Sequence, residues 1–197
     1  MRAAIRLIDT LVRKSEGVYE FSDDPECILR FQLKRATHSV TIGKDRILKG
    51  EPVLEVHAWN ERMPRLLKEG ATLEWALQLR RRVIHSFKGV AKVMLQDHQY
   101  SRVRAVCGTS ALFSFSAHTG GTRLMQHLGF AVLPYHRPLG KFGEFWENFF
   151  SWWLMWTYND ASLHSREFWR LQRTEIWMTA DEFIRRYGGA LDITIEA

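Results

Sequence analysis

A long helix predicted between two strands constrains the fold of this chain more than any other feature. Thr72 suits the N-cap of a helix from about Leu73 to Gln96, and Glu74 lies favourably in its first turn. An apolar strand from Pro52 to His57 precedes the helix, and a strand from Val103 to Phe113 follows it. The expected buried stripe of the helix is Leu73, Leu77, Ile84, Phe87, Ala91 and Leu95, and Gly89 is expected to weaken its second half. The strand from Val103, a short helix after Gly120 and a strand from Phe130 to Leu133 follow in β-α-β order, which predicts a partly parallel sheet with helices on at least one face.

The rest of the chain continues the alternation of strands and helices. Gly120 and Gly121 open a short helix that Gly129 ends. Thr179 and Glu182 form a capping box for a further helix. The other predicted strands are a hairpin or strand pair from Cys27 to Ile42, Phe130 to Leu133, Thr174 to Met178, and a last strand with Leu191, Ile193 and Ile195. The predicted class is α/β, with α+β as the alternative, built on a single mixed sheet flanked by helices.

Composition favours one domain that stays inside the cell. The 197 residues are 46% hydrophobic and 25% charged, and they contain no repeat or low-complexity linker, so residues 1–197 are expected to fold together. Residues 1–15 read as an amphipathic helix rather than a secretory signal. No apolar run approaches the roughly 20 residues that span a bilayer. A cytoplasmic protein is predicted, with peripheral contact at the inner membrane as a variant.

The formal net charge of +6 favours anionic partners, such as nucleic acid, an anionic membrane or a phosphorylated substrate. The predicted long helix carries basic residues at helical spacing, but most such faces are simply solvated. Without a recognised nucleic-acid fold, nucleic acid is the least favoured partner. The two cysteines, Cys27 and Cys107, lack neighbours at metal-ligand spacing, so no metal is predicted. The sequence has no Walker loop or dinucleotide fingerprint, so no cofactor is predicted. The basic helical positions are Arg81, His85, Lys88 and Lys92.

The segment 142–158 is unusually rich in aromatic residues, which favours three interpretations. It can be a largely buried helix, an interfacial membrane patch, or a platform on which sugars or bases stack. Complete burial of this segment is disfavoured, because a domain of this size has a limited interior. In the membrane interpretation, Arg137 and Lys141 pair with phosphate groups. The tryptophans expected to insert or stack are Trp152, Trp153 and Trp156.

Two histidines occupy positions from which side chains reach a cleft at the edge of a sheet. His57 ends a strand beside Asn60, and His98 follows the long helix. One hypothesis is a transferase for an anionic, phosphorylated or acyl-carrier substrate, with His57 as general base. Asn60, Thr109 and Arg123 would then position the substrate, which requires that all four residues converge in one pocket, and His98 is a further candidate for substrate binding.

Four segments carry a resemblance to a known family. They are residues 56–60 (VHAWN), 97–101 (DHQYS), 106–110 (VCGTS) and 123–130, which ends in Leu-Gly-Phe. These segments resemble the YkoP-like domain family, which occurs alone or fused to bacterial polysaccharide deacetylases. The resemblance implies a cell-envelope or exopolysaccharide pathway and a polysaccharide deacetylase as partner. His57 and Asn60 match the family's spacing, whereas Trp59 stands where a second histidine can occur, which weakens a two-histidine metal site.

The resemblance carries over no deacetylase activity, because the chain lacks the Thr-Phe-Asp-Asp-Gly strand end and the His-x-x-x-His metal pair of those enzymes. The glycine turn, short helix and Leu-Gly-Phe ending also look like the closing β-α-β of acetyltransferase-type folds, which is an analogy of fold alone. The leading hypothesis is an accessory domain that binds a lipid-linked or polymeric sugar at the cytoplasmic membrane face. The transferase is its competitor, and a purely structural module is the third interpretation.

Overall fold

Strands and helices alternate along the chain around one central sheet. The computed structural model describes residues 17–65, 72–110, 120–136, 140–158 and 173–189. The strands are β1 (Leu29–Arg35), β2 (Val40–Ile42), β3 (Asp45–Ile47), β4 (Pro52–Ala58), β5 (Ala105–Ser110), β6 (Ala131–Pro134) and β7 (Thr174–Thr179). The helices are α1 (Leu73–Gln96), α2 (Gly120–His127), α3 (Gly140–Tyr158) and α4 (Ala180–Tyr187), and a 3-10 turn, His98–Tyr100, follows α1.

The five long strands form one mixed sheet in the order β1-β4-β5-β7-β6, and β2 and β3 form a separate two-stranded sheet. β4 and β5, which α1 connects, run parallel, so the sheet is partly parallel as predicted. β7 pairs antiparallel with both β5 and β6, so it fills the gap that the β5-α2-β6 crossover leaves. The predicted α/β class with a mixed sheet is confirmed, and the small second sheet is an addition that the sequence did not indicate.

The strand pairing near the start of the chain differs from the prediction. The segment from Cys27 to Ile42 was expected to fold back on itself as a hairpin or strand pair. Instead β1 pairs antiparallel with β4 along its whole length, from Leu29 opposite Ala58 to Arg35 opposite Pro52. β2 pairs with β3. β1 pairs with the longer of the two strands, because β4 provides seven paired positions whereas β2 has only three residues.

Helix α1 begins and ends where the sequence predicted, but only part of its predicted buried stripe is buried. The Thr72 hydroxyl accepts a hydrogen bond from the Trp75 N–H at 3.2 Å, as an N-cap does. The predicted buried stripe is confirmed for Phe87 and Ala91 but was wrong for Leu73 and Leu77, which are 76% and 57% exposed, and also for Leu95. α1 carries two apolar stripes and the sheet covers only one of them, the stripe of Leu79, Val83, Phe87, Val90 and Met94.

Two details of the predicted helices also have a clear outcome. Gly89 does not break α1, and its missing side chain leaves room for the ring of Phe21, since a Cβ there would lie 2.7 Å from Phe21 Cε2. The capping box before α4 is confirmed in its first half, because the Thr179 hydroxyl accepts from the Glu182 N–H at 3.4 Å. The N-terminal helix, the last strand and Arg137 lie outside the described residues.

The two faces of the sheet are covered differently. On one face α1, α2 and α4 enclose the main core, in which the ring of Phe87 lies 5.1 Å from Phe130 and 5.5 Å from Phe183. On the other face the β2–β3 hairpin packs over Val53 and Trp177. Among the described residues, α1, α2 and α4 therefore pack on one face, and the β2–β3 hairpin packs on the other.

The basic face of α1 contacts the acidic segment before β1. His85 Nε2 lies 2.7 Å from Asp24 Oδ2, and Arg81 and Arg82 bind the carboxylate of Glu26. The backbone N–H of Glu26, followed by His85, holds the pKa of Asp24 below its usual range. The hydrogen bond from Arg82 does the same for the pKa of Glu26. Part of this basic face is therefore engaged by the protein's own carboxylates rather than presented to a phosphate backbone.

Candidate functional site

Ionisable side chains lie in a row on the hairpin side of the sheet. Successive side chains of a strand point to opposite faces, so Glu55 and His57 of β4 share the face of Val53, away from α1. The same alternation puts Lys34 of β1, Thr109 of β5 and Glu175 of β7 on this face. We call this row the polar band, and it comprises Lys34, His38, Glu55, His57, Thr109 and Glu175.

Glu55 is the buried centre of one half of the band. Its side chain is only 11% exposed and forms an ion pair with Lys34. His57 Nε2 lies 3.4 Å from the same carboxylate oxygen, Oε2, and its ring is 32% exposed. The buried carboxylate of Glu55 therefore lies beside two partly exposed groups, the ammonium of Lys34 and the imidazole of His57. This half of the band therefore places a carboxylate, an ammonium and an imidazole beside one another on the face away from α1.

Glu175 is the centre of the other half, and its side chain is 7% exposed. Its Oε1 accepts from the backbone N–H of His136 at 2.8 Å, and its Oε2 accepts from Trp177 Nε1 at 2.8 Å. His38 Nε2 lies 3.3 Å from the same Oε2, and the His38 ring stacks on His136 at 4.3 Å. Glu175 of β7 thereby contacts the turn after β1 through His38, and the segment after β6 through His136.

Cys107 lies between the two halves of the polar band. In the sheet it lies between Glu55 and Trp177. Burial raises the pKa of its thiol well above the usual range, both Glu55 and Glu175 raise it further, and Lys34 lowers it. Both carboxylates therefore act on the same sulfur atom. The thiol stays protonated, so it serves as packing between the two halves and not as a nucleophile.

The residues predicted as a transferase pocket are only partly brought together. His57 and Thr109 belong to the polar band, and Asn60 lies just beyond β4. Arg123 is exposed on α2, which packs on the opposite face of the sheet. His98 is exposed at the amino end of β5, whereas His57 lies at the carboxyl end of the parallel strand β4. The four residues of the transferase hypothesis therefore do not converge in one pocket.

The polar and aromatic residues after β4 have a structural role. The ring of Trp59 lies between two guanidinium groups, with Arg62 at 3.4 Å and Arg30 at 4.3 Å from its centroid. Arg62 also donates to the carbonyl oxygens of Ser22 and Asp24. This cluster fastens the segment before β1 against the end of β4.

The aromatic segment is a helix, α3, that is anchored in its middle and exposed at its beginning. Arg173, next to β7, donates to Asn148 Oδ1 at 3.0 Å and to Ser151 Oγ at 2.8 Å. Trp152, Trp153 and Trp156, predicted to insert or stack, are half-buried. The exposed aromatic residues are in the first two turns, where Phe142 is 76%, Phe145 42% and Trp146 52% exposed. We call Phe142, Phe145 and Trp146 the aromatic ridge.

Sequence reasoning found His57 and Thr109 but missed the carboxylates that define the site. The signal for Glu55 was available, because Glu55 and His57 are two residues apart in a strand and must share a face. Lys34, His38 and Glu175 reach the band only through the order of the strands, which the sequence does not specify. Within the described ranges, no group of three or more His, Cys, Asp and Glu side chains is placed to hold a metal ion.

Comparison with known families completes the description of the site. The family model described as the YkoP domain matches residues 1–187, which include the whole polar band and the aromatic ridge. The chain belongs to the YkoP domain family. No curated protein and no solved structure matches the chain at a significant level. The acetyltransferase-like arrangement therefore stays a prediction. In the described part of this YkoP domain, no helix is long and apolar enough to cross a membrane.

Proposed function

We propose that this YkoP domain docks on the anionic cytoplasmic face of a membrane and binds a lipid-linked sugar there. The observation that carries the proposal is the aromatic ridge. Tryptophan favours the region between lipid headgroups and acyl chains, where its apolar ring and its N–H are both accommodated, and phenylalanine beside it adds an apolar ring to the buried face. Three such side chains project from the start of one helix whose middle is held by Arg173.

The expected affinity is modest. Fully burying one large apolar side chain contributes about 1.5–3 kcal/mol, so partial insertion of three contributes roughly 4 kcal/mol, a millimolar Kd. Basic residues near an anionic surface add about 1 kcal/mol each. The net charge of +6 and the position of Arg137 and Lys141 next to the ridge in sequence support this second contribution. Docking should therefore be reversible and sensitive to salt.

The polar band supports the sugar part of the proposal. Its carboxylates and imidazoles include both hydrogen-bond donors and acceptors. Each sugar hydroxyl group can donate one hydrogen bond and accept others, so both kinds of partner are useful. The band also lies close to the anchor of α3, because Arg173 and Glu175 are two residues apart at the amino end of β7. A headgroup held at the band would be near the helix that contacts the membrane.

Co-sedimentation with vesicles tests the proposal. We expect binding to vesicles that contain phosphatidylglycerol, little binding to pure phosphatidylcholine, and a loss of binding as salt rises from 0.05 to roughly 0.5 M, where charge interactions are screened. Absence of sedimentation with every vesicle at low salt would overturn membrane docking. The aromatic ridge would then be a candidate platform for a soluble glycan.

A further inference from the structure

His136 contacts both Glu175 and His38, and it is four residues before α3 begins. We propose that His136 is a latch on the Glu175 half of the polar band. In the free protein the latch is closed, and it withdraws when the aromatic ridge enters a membrane. The latch rests on the proposed membrane docking and adds to it a control of the sugar site.

Both oxygens of the Glu175 carboxylate are already engaged in the free protein. Oε1 accepts a hydrogen bond from the backbone N–H of His136 at 2.8 Å. Oε2 accepts from Trp177 Nε1 at 2.8 Å and lies 3.3 Å from His38 Nε2. The carboxylate is also buried, so solvent reaches little of it. A sugar hydroxyl group can therefore bind this carboxylate only if one of the three contacts opens.

The contact of His136 is the one that opens at the lowest cost. Trp177 is buried and belongs to β7 itself, so its indole cannot leave without disturbing the sheet. His38 is also held through Nδ1, which lies 3.2 Å from Thr37 Oγ1. His136 is exposed and lies beyond Pro134, the last residue of β6. Its withdrawal breaks one hydrogen bond and the ring stack on His38, and it exposes little of its own side chain.

α3 is joined to this cluster at two points. Gly140, the first residue of α3, follows His136 by four positions, so the two Cα atoms are at most about 14 Å apart. Arg173 donates two hydrogen bonds to the middle of α3. Its guanidinium carbon also lies 5.8 Å from the ring centroid of Tyr135, the residue before His136. The start of α3 therefore cannot move far without acting on His136.

Docking supplies enough free energy to open the latch. The aromatic ridge lies in the first two turns of α3, close to the connection with His136. Insertion of its three large side chains contributes more than the net value of one protein hydrogen bond. The Glu55 half of the band is a control within the same molecule, because its partners Lys34 and His57 belong to β1 and β4, far from α3 in the chain.

Chemical labelling of carboxylates tests the latch. The protein is treated with a water-soluble carbodiimide and glycine ethyl ester, with and without vesicles that contain phosphatidylglycerol, and mass spectrometry gives the labelling rates of Glu175 and Glu55. We expect the vesicles to raise the rate at Glu175 about tenfold, the factor for the loss of one net hydrogen bond, and to leave the rate at Glu55 unchanged. The variant with all three ridge residues replaced by serine should show no rise at Glu175.

Two variants open the latch without a membrane. His136→Pro removes the backbone N–H and should raise the labelling of Glu175 without vesicles by about the same factor. His136→Ala keeps the N–H and loses only the ring stack, so it should give a smaller rise and serves as the test if the proline variant fails to fold.

The outcomes separate the latch from membrane docking. If the unchanged chain sediments with the vesicles but the labelling of Glu175 stays the same, the latch is wrong and docking stands. If the chain does not sediment with any vesicle, docking fails and the latch fails with it. An equal rise at Glu55 would also overturn the latch, because it would report a general loosening of the sheet. No rise in a folded His136→Pro variant would overturn it as well.

Discussion

Replacing Phe142, Phe145 and Trp146 together with serine is expected to lower the affinity for anionic vesicles on the order of a thousandfold, which is roughly 4 kcal/mol. The three side chains are among the most exposed large apolar groups of the described residues, and they contact one another, with Trp146 centroids 5.4 Å from Phe145 and 6.3 Å from Phe142. Because they are exposed, their loss should leave the unfolding midpoint almost unchanged. Vesicle co-sedimentation and thermal unfolding measure the two effects.

The matched control for the aromatic ridge is on α1. Leu73→Ser and Leu77→Ser remove two exposed apolar side chains, 76% and 57% exposed, from a different surface. This control should keep its vesicle affinity. Equal losses in both variants would mean that general surface hydrophobicity governs binding, and an unfolded ridge variant would mean that the three rings belong to the core.

Glu175→Ala is expected to lower the free energy of unfolding by about 3 kcal/mol. The substitution leaves the buried indole N–H of Trp177 and the backbone N–H of His136 without their acceptor, and each such loss costs about 1–3 kcal/mol. The substitution also removes the contact between His38 and Glu175, which links the turn after β1 to β7. Urea unfolding followed by fluorescence gives the value.

Glu175→Gln separates the hydrogen bonds from the charge. Its amide oxygen can still accept from one donor, so the loss should be less than half of that in Glu175→Ala. A loss below 1 kcal/mol in the alanine variant would contradict the role of Glu175 as the buried tie between three segments.

Local signals predicted the elements of this fold well. Thr72 and the helical spacing of the apolar residues after it predicted the observed bounds of α1, and Thr179 predicted the start of α4. These signals are local because a cap needs only a hydroxyl and the N–H three residues later. The β-α-β order also predicted a partly parallel sheet, although it did not identify β4 and β5 as the parallel pair.

The site was less accessible to sequence reasoning because it depends on which strands are neighbours. Glu55 and Glu175 are 120 positions apart, and they act on one thiol only because β5 lies between β4 and β7. Periodicity also could not say which of two apolar stripes of α1 faces the sheet, so Leu73 and Leu77 were placed in the core. For α3, composition could not tell the anchored middle from the exposed beginning.

Spin-label accessibility at the aromatic ridge tests the central claim most directly. Both native cysteines, Cys27 and Cys107, are buried, so a label attached to Phe145→Cys reports one site, and Lys44→Cys in the β2–β3 turn serves as the reference. On addition of anionic vesicles, the label at position 145 should become less accessible to a water-soluble nickel reagent and more accessible to oxygen, while position 44 stays unchanged. A label at position 145 that remains in water while the protein is bound to vesicles would contradict the proposed docking.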